Sequence, residues 1–386
     1  MLPLSLTHRY SVRWLSLLLI ILAALLTITL APYGFRPSAL LHIDTTIALQ
    51  HPPPPGTVVL KVPGYDAMGY YQIARTFPAI FLPSQWRNLR MFSPASYAYQ
   101  RILLPAVAFI FSAGNTSALP SVFLLINILA ISVTFLLVQR KFSNPLYAFA
   151  LALCPAAMVA LHFTLAEPLT LLLSTIFLLR MRRSETMESI DVLLLSLLVL
   201  SREVNVLFAL FTLLYLFLKQ KWRSAGLAVI PLIVFGIWHT YMYLIFHSWP
   251  FFISTGNRNI PFLSIFLILI GKKPYTLLTT TSIALFLGFV LPVLLHTLWQ
   301  IAYKRDRSYF PVMLLLFLGI MITMSDNIWG SITSIGRVIT PVYPLAILYS
   351  AQRNNIYDRL LCQTLIIIGL VTAVGLGLIV HPFFIT

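Results

Sequence analysis

The sequence predicts an all-α polytopic membrane protein, with about eleven transmembrane helices and a long outer first loop that carries interfacial helices. Only 9% of the 386 residues are charged and 59% are hydrophobic, whereas soluble domains carry about 25% charged residues. Several apolar runs reach the length of about 20 residues that crosses a bilayer. The clearest runs are 14–31, 118–138, 225–246 and 360–380.

The loops between the apolar runs predict the orientation of the chain. Short basic connections favour the cytoplasmic side, and all of them can lie there if an even number of crossings separates each consecutive pair. We therefore expect the N-terminus inside and the C-terminus outside. The predicted spans lie near residues 14–31, 118–138, 145–161, 167–181, 190–201, 204–218, 225–246, 276–300, 309–324, 332–350 and 360–380.

This topology makes two specific demands. The apolar stretch 102–113 must lie along the outer membrane surface, because a helix of that length measures about 18 Å and a crossing needs about 30 Å. The spans 190–201 and 204–218 must be short helices that meet at Arg202 and Glu203. Two charges inside a continuous apolar helix would be costly in lipid, so the chain is expected to bend there at the outer face.

The predicted outer loop, residues 32–117, is long enough to carry structure and function. Its segment HPPPPG (51–56) is expected to be extended. Two amphipathic helical segments are predicted, 66–77 and 97–111. We expect one transmembrane domain over 1–386 with no appended soluble domain.

Composition argues against two other kinds of function. The net charge is +16, but the basic residues separate apolar runs and do not form a polar nucleic-acid-binding domain. The two cysteines, Cys154 and Cys362, lie in apolar runs without metal-ligand spacing. They are expected to be inert packing residues.

Acidic residues are few enough to consider one by one. Asp66 lies in VPGYDAMGYYQIA, at the expected start of a helix. It is either a helix cap or a general base that substrates reach at the membrane surface. The outer side is predicted to hold Asp44, Asp66, Glu167, Glu203 and Asp326.

Three further polar residues have two open interpretations each. Glu167 stands before Pro168 in HFTLAEPL and is either a helix start or a functional carboxylate. His162, in the same turn, is more often structural than ligand-binding at such a position. Asp326, in SDNIWGS, is expected to cap the tenth span.

The outer basic residues are candidates for binding a phosphate, which arginine contacts through two hydrogen bonds. The alternative is that they reach toward lipid head groups. Arg337 lies inside a predicted span, where a guanidinium should face a polar cavity and bind either a carboxylate such as Glu167 or Asp326 or an anionic ligand. It is the first candidate for the phosphate. Gly336, Pro341 and Pro344 predict an irregular helix around it. The full set is Arg101, Arg202, Lys272, Lys273 and Arg337.

Four segments carry a recognisable pattern: GYDAMGYYQIA (64–74), YAYQRILLPAVA (97–108), ALCPAAMVALHFTLAEPL (152–169) and LVLSREVNVL (198–207). A weaker fifth element is GRVITPVYPL (336–345). Together they resemble the pattern of the GT-C class of polytopic membrane glycosyltransferases, and most closely the prokaryotic relatives of the GPI mannosyltransferase II family. The sequence departs from the family at Ala67-Met68, where glycine and a polar residue are usual, and at Ala166, where threonine is common.

The resemblance implies a transferase that moves mannose or a similar hexose or pentose from a polyprenyl-phosphate carrier, with inversion, to a glycan, lipid or protein acceptor. Asp66 matches the family's catalytic acidic residue, and Arg101, Glu167, Arg202 and Arg337 match its recurrent polar positions. We add Tyr70, Tyr71, His162, Lys272, Lys273 and Asp326 as candidate substrate-binding residues. An Asp-x-Asp pair is absent from the first loop, so no required metal or other cofactor is predicted, although metal dependence stays open.

The resemblance implies a location in the cytoplasmic membrane of a prokaryote, with the active site on the outer face. It also implies a role in cell-envelope glycan biosynthesis. The main rival is a flippase or transporter for lipid-linked sugars, and a noncatalytic scaffold is a third interpretation. A transporter predicts charges near the bilayer midplane. Here the charges of interest collect toward one predicted face, which favours surface chemistry.

Overall fold

The chain forms a bundle of helices. The computed structural model describes residues 4–61, 64–89, 95–250, 259–271 and 274–379. Within these ranges there is no β-strand, and the single strand-like pairing is an isolated bridge between Asp44 and Leu60. An all-α membrane protein is therefore confirmed at the level of secondary structure.

The helices follow the apolar runs and end at polar or proline-containing turns. In chain order they are α1 (Leu4–Leu30), α2 (Thr45–Gln50), α3 (Asp66–Arg75), α4 (Trp86–Leu89), α5 (Ala95–Tyr99), α6 (Leu103–Phe111), α7 (Leu119–Lys141), α8 (Pro145–Ala152), α9 (Pro155–Phe163), α10 (Glu167–Ser184), α11 (Ser189–Ser201), α12 (Val206–Leu218), α13 (Trp222–Phe246), α14 (Leu263–Leu269), α15 (Leu277–Leu285), α16 (Leu291–Ala302), α17 (Tyr309–Met321), α18 (Asp326–Trp329), α19 (Ile332–Val338), α20 (Val342–Arg353) and α21 (Ile356–Ile379).

Among the described residues, five helices are long and apolar enough to cross a membrane, and the count rises to seven if each of two bent pairs is one span. The five are Val12–Tyr33, Leu119–Lys141, Trp222–Phe246, Leu277–Ala302 and Ile356–Leu378. The bent pairs are α8–α9 and α19–α20. Every predicted span overlaps a helix or a helix pair, but crossing by α10, α11, α12 and α17 stays a prediction.

Proline explains both bends. The angle is 44° between α8 and α9, where Pro155 begins the second helix, and 62° between α19 and α20, where Pro341 interrupts the chain. Proline lacks an amide hydrogen and clashes with the preceding turn, so it frees a carbonyl group four residues earlier. At Pro341 that freed carbonyl belongs to Arg337. The predicted irregularity around Arg337 is confirmed.

The first loop folds onto one end of the bundle. Its longest helix, α3, buries Ala67, Tyr70, Tyr71 and Ala74 against α6, α7 and α9. Aromatic side chains supply most of the buried area of such a short helix. This packing fixes the position of Asp66, the first residue of α3.

Two loop predictions meet different outcomes. A helix over 97–111 is wrong as a single segment, because the chain leaves helical geometry between α5 and α6. Pro105 explains the break, since its ring would clash with the carbonyl of Arg101 in a continuous helix. The helix that does form, α6, measures about 14 Å and is too short to cross a bilayer, as expected for 102–113.

Candidate active site

Six charged side chains meet where the first loop contacts the bundle. Each comes from a helix end or a break: the start of α3, the α5–α6 junction, the start of α10, the α11–α12 junction, and the bend after α19. Three are arginines and three are carboxylates, so the group is electrically balanced. We call it the charge cluster: Asp66, Arg101, Glu167, Arg202, Glu203 and Arg337.

Arg101 is the most completely bonded of the three arginines. Its Nε and Nη2 donate to the two carboxylate oxygens of Glu203 at 2.7 and 2.6 Å. Nη1 donates to Oδ2 of Asp66 at 2.6 Å and more weakly to the Tyr70 hydroxyl at 3.4 Å. Nη2 also donates to the Tyr97 hydroxyl at 2.6 Å. All five N–H groups of this buried guanidinium therefore have acceptors.

Arg337 joins α19 to the first loop and to α10. Its Nε donates to Oε1 of Glu167 at 2.6 Å, and its Nη2 donates to Oδ2 of Asp66 at 2.7 Å. Nη1 donates to the Tyr65 hydroxyl at 2.9 Å, and the guanidinium lies over the Tyr65 ring. Of the two roles considered from sequence, a carboxylate partner or an anionic ligand, this structure contains the first.

Arg202 is less completely bonded. Its Nη1 lies 2.9 Å from Oε1 of Glu167 and donates to the Arg337 carbonyl at 2.7 Å. Pro341 has no amide hydrogen to offer that carbonyl, which also accepts from the amide and the hydroxyl of Thr340. Nε of Arg202 and Oε2 of Glu167 are both buried and have no hydrogen-bond partner. Unsatisfied buried groups of this kind are rare and often indicate a missing water or ligand.

Asp66 is the most exposed carboxylate of the cluster, and it lines an open space. Oδ2 accepts hydrogen bonds from both Arg101 and Arg337, whereas Oδ1 has no partner among the described residues. Its side chain is 34% exposed, against 0% for Glu167. Burial opposes ionisation here, but Arg337 and Arg101 outweigh it and hold the pKa of Asp66 well below its usual range.

A cavity of about 300 Å³ opens beside Asp66 and runs along α3. Tyr65, Tyr70, Tyr97 and Tyr99 contribute to its wall, together with Arg101. Burial raises the pKa of Tyr70 to about 12, so its hydroxyl stays protonated at neutral pH. Aromatic walls with one carboxylate suit a neutral ligand that has apolar faces and hydroxyl groups, as a sugar does.

The other predicted residues lie outside this cluster or beyond the described residues. Tyr71 lies on the buried face of α3 and does not line the cavity. His162 contacts His42, Phe163 and Thr29 at a separate small polar site. Asp326 begins α18 and takes no part in the ion pairs of the charge cluster. The expectation that it caps the tenth span is wrong, because Ser331 caps α19 by accepting from the Thr333 amide. Lys272 and Lys273 lie outside the described residues.

Sequence reasoning undervalued three residues. Glu203 was placed on the outer side without a role, yet it makes two hydrogen bonds to Arg101. Tyr65 and Tyr97 were not selected, although both lie under arginine guanidiniums. A usable signal existed for Tyr97, because a position four residues before Arg101 can bring the two side chains together.

The described residues include no group of three or more His, Cys, Asp and Glu side chains arranged to hold a metal ion. No family model matches the chain, and no curated protein or solved structure is significantly similar to it. Arguments about function therefore depend on the geometry of the site itself.

Proposed function

We propose that this protein transfers a sugar from a polyprenyl-phosphate carrier to an acceptor hydroxyl on the outer side of the membrane, with Asp66 as the general base. The observation that carries the proposal is that the two oxygens of the Asp66 carboxylate have different surroundings. Two arginines fix Oδ2, and Oδ1 is left free beside a tyrosine-lined cavity. A base held in this way is oriented before the substrate arrives.

The reaction would be a single displacement. The acceptor oxygen bonds to the anomeric carbon, the bond from that carbon to the phosphate oxygen breaks, and the carrier phosphate leaves with the electron pair. Oδ1 of Asp66 takes the acceptor proton. Because its pKa is lowered, Asp66 is a weak base, so we expect proton transfer to follow most of the bond formation, when the hydroxyl has become acidic.

The number of carboxylates at the cavity supports inversion at the anomeric carbon. A retaining mechanism needs a second carboxylate about 5 Å from the first to form a covalent intermediate. Asp66 is the only acidic residue among those that line this cavity. Glu167 and Glu203 are instead directed at arginines.

Among the arginines of the cluster, Arg202 is the best candidate for contact with the carrier phosphate. Arg101 uses all its N–H groups, and each nitrogen of Arg337 already has an acceptor. Arg202 keeps a buried Nε without a partner. This moves the proposed phosphate contact from Arg337, favoured by sequence position, to Arg202.

The proposal is tested with protein in lipid nanodiscs, supplied with polyprenyl-phosphate mannose and related donors. Release of polyprenyl phosphate and appearance of glycosylated acceptor are followed by mass spectrometry. Asp66→Asn should lower transfer at least about a hundredfold, the lower range of a general base's contribution. The matched control is Asp44→Asn, the same change on the same loop, which keeps the acceptor that caps α2 and loses only the bond from the Gly64 amide.

Two results would reject the proposal. One is transfer by Asp66→Asn within a few-fold of the wild type. The other is movement of intact lipid-linked sugar between leaflets without release of polyprenyl phosphate, which would identify a flippase.

A further inference from the structure

Asp66 can act as a base only if neither arginine takes its second oxygen. A guanidinium binds a carboxylate most strongly through two parallel hydrogen bonds. Arg101 and Arg337 both lie within 2.7 Å of Oδ2, so each is close enough to pair with both oxygens. Something must hold each arginine in the orientation that leaves Oδ1 free.

The charge cluster contains such a restraint for each arginine. Glu203 occupies the Nε–Nη2 edge of Arg101 with two hydrogen bonds, so that Arg101 presents only Nη1 to Asp66. Glu167 holds Nε of Arg337 by a single hydrogen bond, so that only Nη2 of Arg337 reaches Asp66. Arg101 thus makes its two-sided contact away from Oδ1, and Arg337 is held there by one bond.

We propose that Glu203 is a positioning residue that holds Arg101 by two hydrogen bonds and thereby keeps Oδ1 of Asp66 free to take the acceptor proton. The catalytic consequence rests on the proposed function, whereas the restraint on Arg101 does not. Charge supports the same assignment, because loss of the Glu203 charge leaves three arginines with two carboxylates. Arg101 would then turn toward Asp66, its nearest remaining carboxylate.

Of the two glutamates that hold these arginines, Glu203 is the one that can be substituted without leaving a cavity in the buried core. Its side chain is 23% exposed, whereas Glu167 is fully buried. Glu203→Gln keeps the shape and removes the charge. Glu203→Asp keeps the charge on a shorter side chain.

The restraint is tested by thermal unfolding in detergent, without any assay of activity. The unfolding of wild type, Asp66→Asn, Arg101→Gln and the double variant gives the coupling free energy between Asp66 and Arg101. The same cycle is then measured in a Glu203→Gln background. Release of Arg101 should roughly double the coupling, because one hydrogen bond to Asp66 becomes two. Glu185→Gln is the control background, since Glu185 is a partly exposed glutamate that pairs with Lys221 outside the cluster.

An unchanged or smaller Asp66–Arg101 coupling in the Glu203→Gln background would overturn the proposal. Where transfer is measurable, Glu203→Gln should lower kcat at least about tenfold with little change in acceptor KM, as for a group that acts only in the transition state. Glu203→Asp should recover part of that loss. A raised coupling in a protein without transferase activity would retain the restraint and reject the proposed function.

Discussion

At the scale of single residues, the two oxygens of Asp66 have different surroundings, and this difference determines how the side chain can act. Oδ2 is bound by two arginines, whereas Oδ1 has no partner among the described residues, and Asp66 lines the cavity. The arginines that orient Asp66 also lower its pKa despite its burial. The two arginines therefore hold the Asp66 carboxylate in a fixed orientation and at the same time make it a weaker base.

The lowered pKa of Asp66 predicts a pH effect on stability. Its carboxylate is ionised in the folded state at all pH values near neutrality, whereas in the unfolded chain it protonates near about 3.9. Stability from Asp66 is thus fully present above that value and is lost as pH falls toward the lower folded pKa. The difference in Tm between wild type and Asp66→Asn should shrink steadily below about pH 4.

The measurement is thermal unfolding between pH 3 and pH 7. The transfer rate should likewise show no titration of Asp66 above about pH 4. In that range the pH profiles of wild type and Asp66→Asn should have the same shape. A Tm difference that begins to shrink near neutral pH would mean that the arginines do not control Asp66.

Arg337 is predicted to be essential for stability. Arg337→Gln removes one partner from Glu167, which is fully buried, and from Asp66. Breaking a buried ion pair in this way costs about 3–5 kcal/mol, because a buried charge loses its compensation. Unfolding of Arg337→Gln and of Arg36→Gln, an exposed arginine of the same outer loop, should be compared. A small loss for Arg337→Gln would show that another cation replaces it.

At the scale of helices, the site depends on breaks. Each member of the charge cluster lies at a helix end or close to a bend, where backbone groups are free to bond to side chains. The clearest case is Pro341, which has no amide hydrogen to offer the Arg337 carbonyl, so this carbonyl accepts from Thr340 and from Arg202 instead. The break at Pro155 lies beside a second close contact, between the α8–α9 turn and α21.

Gly369 is predicted to be required for that contact. A β-carbon added at Gly369 in α21 would overlap with the backbone carbonyl of Leu153, which cannot move aside as a flexible side chain can. Small residues permit such close approach of helix backbones in membranes. Gly369→Ala should therefore lower Tm or prevent folding. Gly226→Ala, in open space on α13, should be tolerated. Equal effects of the two changes would contradict this packing.

At the scale of the whole molecule, the charge cluster joins the first loop to three parts of the bundle: the start of α10, the α11–α12 junction and α19. The longest of its links connects Asp66 with Arg337, which are 271 residues apart in sequence. The site can therefore form only after the last third of the chain has packed. We expect changes in the cluster to affect the docking of the whole first loop, in addition to local chemistry.

The predicted topology can be tested by labelling. The three predicted crossings between Ser117 and Ser184 place these exposed serines on opposite sides of the membrane. Single cysteines at the two positions, with Cys154 and Cys362 replaced by serine, should react with an impermeant maleimide from opposite sides of sealed vesicles. Ser117 should react from the outer side. Labelling of both positions from one side would reject the eleven-span topology.

The sequence by itself determined the membrane class, the positions of the helices, and which charged residues deserved attention. These features are local: apolar length, proline and charge act within a few residues, so the breaks at Arg202 and at Pro341 were visible. The 97–111 segment failed for a local reason too, because the effect of Pro105 on Arg101 was overlooked.

Only the tertiary structure decided how the charged residues pair. The sequence favoured Arg337 as a phosphate ligand, but packing gives it two carboxylates. No role for Glu203 follows from the sequence, and it is the packing of the helices that places it against Arg101. Ion pairs act over a few ångströms and join residues far apart in the chain, so their partners depend on how the helices pack and cannot be read from periodicity or spacing.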